Sequence, residues 1–314
     1  MPSAEQTRRN AESELINDLA FAALKEKQRA RRWNIAFRLI GFMLFALLLA
    51  GLFGDRLSGL FGGTGRHTAV VEVQGIISDG EYGNARSIVE SLERALSDRN
   101  TAGVILRVNS PGGSPVQSGI VFDEILRLRG EYPSTPIHAV VSDLCASGAY
   151  YIASAADNIY ADKASLLGSI GVRMDSFGFE GAMDMLGVER RVLTAGENKA
   201  LLDPFLPQQP EQVAHLQTLL DDIHMQFIDA VRRGRGDRLR DDPALFSGLI
   251  WTGAQSVKMG LVDKLANEHY VAREVIGARR LVNFTRQPDL VERVADRLGA
   301  SVRNGLYNSW TLLR

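Results

Sequence analysis

From His67 onward the chain predicts an α/β fold with a mostly parallel sheet and crossover helices. Three observations carry this. Short β-rich runs alternate with stretches of helical apolar spacing, the first runs are apolar enough to be buried, and no internal repeat interrupts the alternation. In order, TAVVEVQGII (68–77) reads as a buried strand and ARSIVESLERAL (85–96) as an amphipathic helix. TAGVILRVN (101–109) is a second strand, ended by SPGGSP, and VQSGIVFDEILRLR (116–129) is helical. TPIHAVVS (135–142) is a third strand, followed by the small-residue helix SGAYYIASAA (147–156). NIYAD (158–162), GSIGVRM (168–174) and ERRVLTA (189–195) read as further short strands. A long helix is expected over 210–233 with Gly234 ending it, and VERVADRLGASV (291–302) as a peripheral helix in a C-terminal helical extension, 281–314.

Ahead of this domain, WNIAFRLIGFMLFALLLAGLFG (33–54) is apolar except for Asn34 and Arg38. As a helix of ~1.5 Å rise per residue it would reach about 33 Å, enough for the hydrocarbon core of a bilayer. Arg38 and Trp33 lie near its start and can reach the interface. Residues 1–32 precede it and no A-x-A site follows, so an uncleaved transmembrane signal anchor is a better reading than a signal peptide. KEKQRARR (25–32) holds five basic residues and one acidic, whereas 55–65 has one of each. The positive-inside rule then keeps the tail 1–32 in the cytoplasm and places everything after the glycine-rich linker 55–66 outside it.

The composition excludes several functions. A net charge of −1 over 314 residues argues against a nucleic-acid binder. Five scattered histidines and a single cysteine, Cys145, leave no metal-ligand spacing and no intrachain disulfide, so no metal and no cofactor are expected. RGD at 235–237 resembles an adhesion tripeptide, but its mixed-charge surroundings read as a solvated helix end.

Two segments carry candidate chemistry. In DLCASGAYYIASAAD (143–157), Ser147 opens a helix directly after a strand, a place that exposes a side chain and aims backbone N–H groups at it. Ala146, Ser147, Gly148 and Ala149 could serve only to let a helix pack closely, and Cys145 is a rival nucleophile or a packing residue. In SPGG (110–113), two glycines let the backbone approach a ligand and present donors to a developing oxyanion, or merely form a turn. No histidine lies near Ser147 in sequence, so lysine is the alternative base. Lys199 in TAGENKALLDPF (194–205) is the candidate, if burial beside Leu201, Leu202 and Phe205 disfavours its charge; otherwise it is a solvated loop lysine.

DLCASGAYYIASAAD, SPGG, GSIGV (168–172), GENKALLDPF (196–205) and WTGAQSVKMGLVDKL (251–265) follow one another in the order and spacing of a known family. Over residues 67–280 the chain resembles the bacterial signal peptide peptidase A family of serine–lysine proteases, in its short, single-domain form. The resemblance implies a spiral ββα fold like that of the Clp protease and crotonase families, with 67–280 as the protease domain. It implies Ser147 as nucleophile, Lys199 as general base and Ser169 as the residue that orients the lysine. Backbone N–H groups of Gly113 and Gly148 would form the oxyanion hole, and Gly112, Ile170 and Gly171 would bind an extended substrate. Ala149 stands where glycine is common and should narrow the site slightly. The resemblance further implies hydrophobic peptides, remnant signal peptides among them, as substrates, and a homo-oligomer with shared active sites. The rivals are a crotonase-like acyl-CoA enzyme, which an exported topology opposes, and a catalytically inactive ring-forming membrane scaffold, which the presence of Ser147, Lys199 and Ser169 opposes.

Overall fold

The computed structural model describes residues 31, 33–35, 37–46, 65–80 and 84–286. Residues 31, 33–35 and 37–46 are helical, with exposed apolar side chains such as Phe42 and Leu44. The rest of the expected anchor, the tail 1–30, most of the linker and the expected helix at 291–302 lie outside the described residues. Among the described residues no helix is long and apolar enough to cross a membrane.

Residues 65–286 build a sheet of eight strands: β1 (His67–Ile77), β2 (Thr101–Gly113), β3 (Ile137–Ala146), β4 (Asn158–Ala161), β5 (Leu166–Gly168), β6 (Ile250–Thr252), β7 (Lys264–Leu265) and β8 (Leu281–Asn283). The order is β6-β5-β3-β2-β1-β8, and every pair is parallel except β5 with β6. β3 forks the sheet. Its first half, His138–Val141, pairs with β4, and its second half, Leu144–Ala146, pairs with β5. A mixed α/β sheet of parallel strands with such a branch fits the Clp- and crotonase-like expectation.

The central strands read as continuous apolar runs because both faces are covered. Ala69, Val71, Val104, Leu106 and Ala139 face the main core, while their neighbours Val70, Ile105 and Val140 face a smaller cluster with Tyr160, Val271 and Ala272. Helix α1 (Ala85–Ser97) buries Ile88, Leu92 and Ala95 on one stripe and is capped by Asn84, which accepts the Ser87 N–H. α2 (Pro115–Glu131) starts with Ser114 as cap and Pro115 in its first turn. α3 (Gly148–Ser154) is buried almost throughout, so its small residues are core packing as well as chemistry. α4 (Glu180–Leu186) is exposed, α5 (Pro210–Arg235) buries only its C-terminal turns, and α6 (Gly253–Met259) carries a Thr252–Gln255 capping box.

Four expectations change. The strand expected over 168–174 ends at Gly168, because Ser169 adopts φ 53° and leaves the ladder. Residues 189–195 form no strand and pair with no strand among the described residues, and the exposed helix α4 precedes them. The long helix continues past Gly234 to Arg235, and Gly236 at φ 55° caps it. Gly234 instead lets α5 touch α3, since a Cβ there would lie 2.0 Å from the Ser154 carbonyl oxygen. Finally, β8 at 281–283 pairs with β1, so the sheet runs beyond residue 280 and the C-terminal extension does not begin as a helix. The RGD segment also differs from its reading. Arg235 is fully buried and ion-paired to Asp263, so it is not a solvated helix end.

Candidate active site

β2 and β3 run side by side and end together, bringing the SPGG turn against the start of α3. A Cβ on Gly112 would lie 2.8 Å from the Ser147 Cβ and 2.7 Å from the Gly148 nitrogen. A Cβ on Gly113 would lie 2.0 Å from the Ile77 carbonyl oxygen, and one on Gly148 would lie 3.3 Å from the Gly113 nitrogen. The glycines at 112, 113 and 148 are therefore dictated by close backbone approach, and Gly112 and Gly113 also hold positive φ. Gly148 is the first residue of α3, where an N–H has no intrahelical acceptor. The Gly113 and Gly148 nitrogens thus lie together beside Ser147.

Ser147 itself is held at φ 52° and ψ −126°, a conformation that costs a residue with a Cβ about 1–3 kcal/mol and concentrates at functional sites. The strained elbow arises without the G-x-S-x-G pattern, since Cys145 and Ala149 stand where that pattern has glycine. The Ser147 N–H donates to the Gly168 carbonyl at 2.8 Å, which places Ser169, the next residue, beside it. Ser169 is also strained, at φ 53°, and its N–H donates to the Leu249 carbonyl at 2.7 Å.

Ser147, Gly148, Gly112, Gly113, Ser169 and Gly171 all line one cavity of about 800 Å³. Its other walls include Tyr151, Phe227 and Phe246. The Tyr151 and Phe227 rings stack at 4.9 Å, and Phe122 meets Tyr151 edge-on at 5.3 Å, giving a firm apolar side. Burial pushes the Tyr151 hydroxyl above its ordinary pKa, so it stays neutral.

Three expectations differ from what the chain places here. Ile170 is buried in the core, and only its carbonyl serves this region. Ala149 is fully buried and narrows nothing in the cavity. Lys199 does not line the cavity. It is exposed in its own chain, in a turn closed by its N–H to the Gly196 carbonyl at 3.1 Å, and burial by Leu201, Leu202 and Phe205 does not occur. The reason is that residues 173–199 pack on almost none of the domain. Cys145, the rival nucleophile, is fully buried, and burial pushes its thiol far above the ordinary range, which suppresses the thiolate.

His224 was not visible to sequence reasoning. It stands with Ile223 and Phe227 on one face of α5 and lines the same cavity as Ser147. The i, i+3 spacing of His224 and Phe227 marks a shared helix face, but nothing in the sequence says what that face meets. Among the described residues no cluster of three or more histidine, cysteine or acidic side chains could hold a metal ion.

Residues 132–281 match the family described as Peptidase family S49. A protein of Brucella abortus named "Na(+)/H(+) antiporter NhaA" is 45% identical over 186 residues, 59% of this chain and 25% of that protein. "Putative protease slr0021" of a Synechocystis strain is 30% identical over 207 residues, 65% of this chain and 72% of that protein. "Putative signal peptide peptidase SppA" of Enterococcus faecium is 28% identical over 212 residues, 65% of this chain and 61% of that protein. The chain thus spans a quarter of the Brucella protein and less than two thirds of the Enterococcus one. The matched stretch contains the elbow serine, its strained neighbour and the exposed lysine loop, and the chain belongs to peptidase family S49, the signal peptide peptidase A family.

Proposed function

We propose that this chain is a membrane-anchored serine endopeptidase that cuts hydrophobic peptides, remnant signal peptides among them, with Ser147 as nucleophile and Lys199 as general base. The observation that carries the reading is the strained Ser147 in the wall of a cavity of about 800 Å³ with the Gly113 and Gly148 nitrogens beside it. A neutral Lys199 amine takes the Ser147 proton, and Oγ adds to the peptide carbonyl. The Gly113 and Gly148 N–H groups stabilise the oxyanion. The lysine ammonium returns its proton to the departing amine as the C–N bond breaks, leaving an acyl-serine. Water, deprotonated by the lysine, displaces Ser147 Oγ, which recovers the proton.

Lys199 is brought to the cavity by a second copy of the chain. Two features support this. Lys199 lies away from its own cavity, and the segment that carries it exposes Met174, Phe177, Met185, Leu186, Val188 and Leu193. So many exposed apolar side chains in one segment mark an interaction surface. Contact with a neighbour would also supply the burial that a lysine base needs. The anchor at 33–54 holds the protein in the inner membrane with residues 1–32 cytoplasmic and the catalytic domain outside.

The test uses detergent-solubilised full-length protein and a fluorogenic hydrophobic peptide, with Ser147→Ala, Lys199→Ala and a mixture of both variants. Loss in each and partial recovery in the mixture is expected. Full activity in Ser147→Ala would sink the mechanism, and loss without recovery in freely exchanging oligomers would place both groups in one chain.

A further inference from the structure

β5 ends at Gly168, and the chain beyond it is held at few points. Ser169 N–H binds Leu249, and Gly248 N–H donates to the Ile170 carbonyl at 3.1 Å. Among the described residues, none of Gly171–Gly178 makes a backbone–backbone hydrogen bond. Ile170 is thus the last tethered residue before a run whose peptide groups are open, and Gly171 adds backbone freedom there. A third tether comes from another element. His224 Nε2 lies 3.2 Å from the Ile170 carbonyl oxygen. A carbonyl has no proton to give, so in this bond Nε2 donates. Among the described residues His224 has no other hydrogen bond, and its ring forms part of the cavity wall.

We propose that His224 is a positioning residue for the proteolytic reaction: through Ile170 it fixes Ser169–Val172 so that this edge can pair with an extended peptide beside Ser147. The inference rests on the protease reading above. His224 acts on the segment after β5 that would receive substrate, and in this role it takes no proton from Ser147. Losing it would loosen one wall of the cavity while leaving the elbow and the oxyanion donors in place, because those are held by β2, β3, α3 and the Gly168 carbonyl at the end of β5.

The test compares wild type, His224→Ala and His224→Gln, all full length in detergent, on two readouts. One is steady-state cleavage of an extended hydrophobic peptide. The other is the rate at which a small fluorophosphonate labels Ser147, a reaction that needs no strand pairing. For His224→Ala, KM for the peptide should rise about three- to tenfold, as expected for one hydrogen bond, with labelling within about twofold of wild type. His224→Gln keeps an N–H donor of similar reach and should recover most of the KM. Thermal melting should show folded protein in all three. An unchanged KM in His224→Ala, or a Gln variant no better than Ala, would overturn the proposal. Equal collapse of turnover and labelling in both variants would also overturn it, by making His224 the proton acceptor of Ser147, and loss of the melting transition in both would make it a folding element. A wild-type chain that neither cleaves nor labels would instead sink the protease reading itself.

Discussion

Replacing Gly113 by alanine tests the oxyanion assignment most directly. A Cβ at this position would lie 2.0 Å from the Ile77 carbonyl oxygen, whereas real Cβ atoms essentially never come under 3.0 Å, so backbone must move by about 1 Å. The obstacle is the β1 main chain and cannot rotate away, and φ of 152° adds strain for any residue with a Cβ. The group displaced is the N–H expected to donate to the developing oxyanion. Removing one such donor costs about 10²–10³ in kcat, or roughly 2.7–4 kcal/mol. Gly113→Ala should therefore lower kcat about 100- to 1000-fold on the fluorogenic peptide. Gly277→Ala is the control: its φ is 77°, nothing lies within 4 Å of a Cβ, and it is remote in sequence from the cavity. It should lose about 1–2 kcal/mol of stability and keep its kcat. A folded Gly113→Ala protein with kcat within about tenfold of wild type would refute the assignment.

Cys145→Ala should keep wild-type kcat and fluorophosphonate labelling and lose about 1 kcal/mol of stability in urea titration, since its thiol is buried and kept protonated. Arg235→Met should destabilise the domain by about 1–3 kcal/mol, because the half-buried Asp263 would lose the guanidinium that donates to it at 2.8 and 3.0 Å and keep only Arg238 and the Ile159 N–H. Burial pushes the Asp263 carboxyl up, but hydrogen bonds and charge from Arg235 and the Ile159 N–H outweigh it and hold it below its ordinary value of 3.8. That stabilisation is present above pH 3.8 and is lost as pH falls through the lower folded value, so acid unfolding of Arg235→Met should begin at higher pH than wild type. His138 is buried, its Nδ1 has no hydrogen-bond partner among the described residues, and burial pushes its imidazole below 6.5 despite the charges of Asp157 and Asp263. The unfolded chain then takes up its proton first, and stability falls as pH drops below 6.5. His138→Phe should flatten that slope in equilibrium unfolding measured from pH 7 to pH 5, and an unchanged slope would refute the reasoning.

Some of this site can be read without coordinates. The β-rich runs at 68–77, 101–109 and 135–142 became β1, β2 and β3, because fully covered parallel strands need sustained apolar character that no surface loop tolerates. The capping residues Asn84 and Ser114 declare helix starts locally. Short strands were less legible. β6, β7 and β8 have two or three residues each, too few to show a period, and exist only because a neighbouring strand accepts them. The opposite holds at 189–195, where strand-like composition finds no partner strand among the described residues.

What the sequence by itself determined is the class of fold, the order of its main elements and the chemical groups available: a serine after a strand, paired glycines, one lysine loop. Those depend on interactions within a few residues. Only the tertiary structure decided which groups meet. It put the Gly113 and Gly148 nitrogens beside Ser147, buried Cys145 and Ile170, left Lys199 outside its own cavity and brought His224 from α5 to the Ile170 carbonyl. Each of those outcomes follows from the forked β3 and from close packing between elements distant in sequence, where a fraction of an ångström separates a fit from a clash.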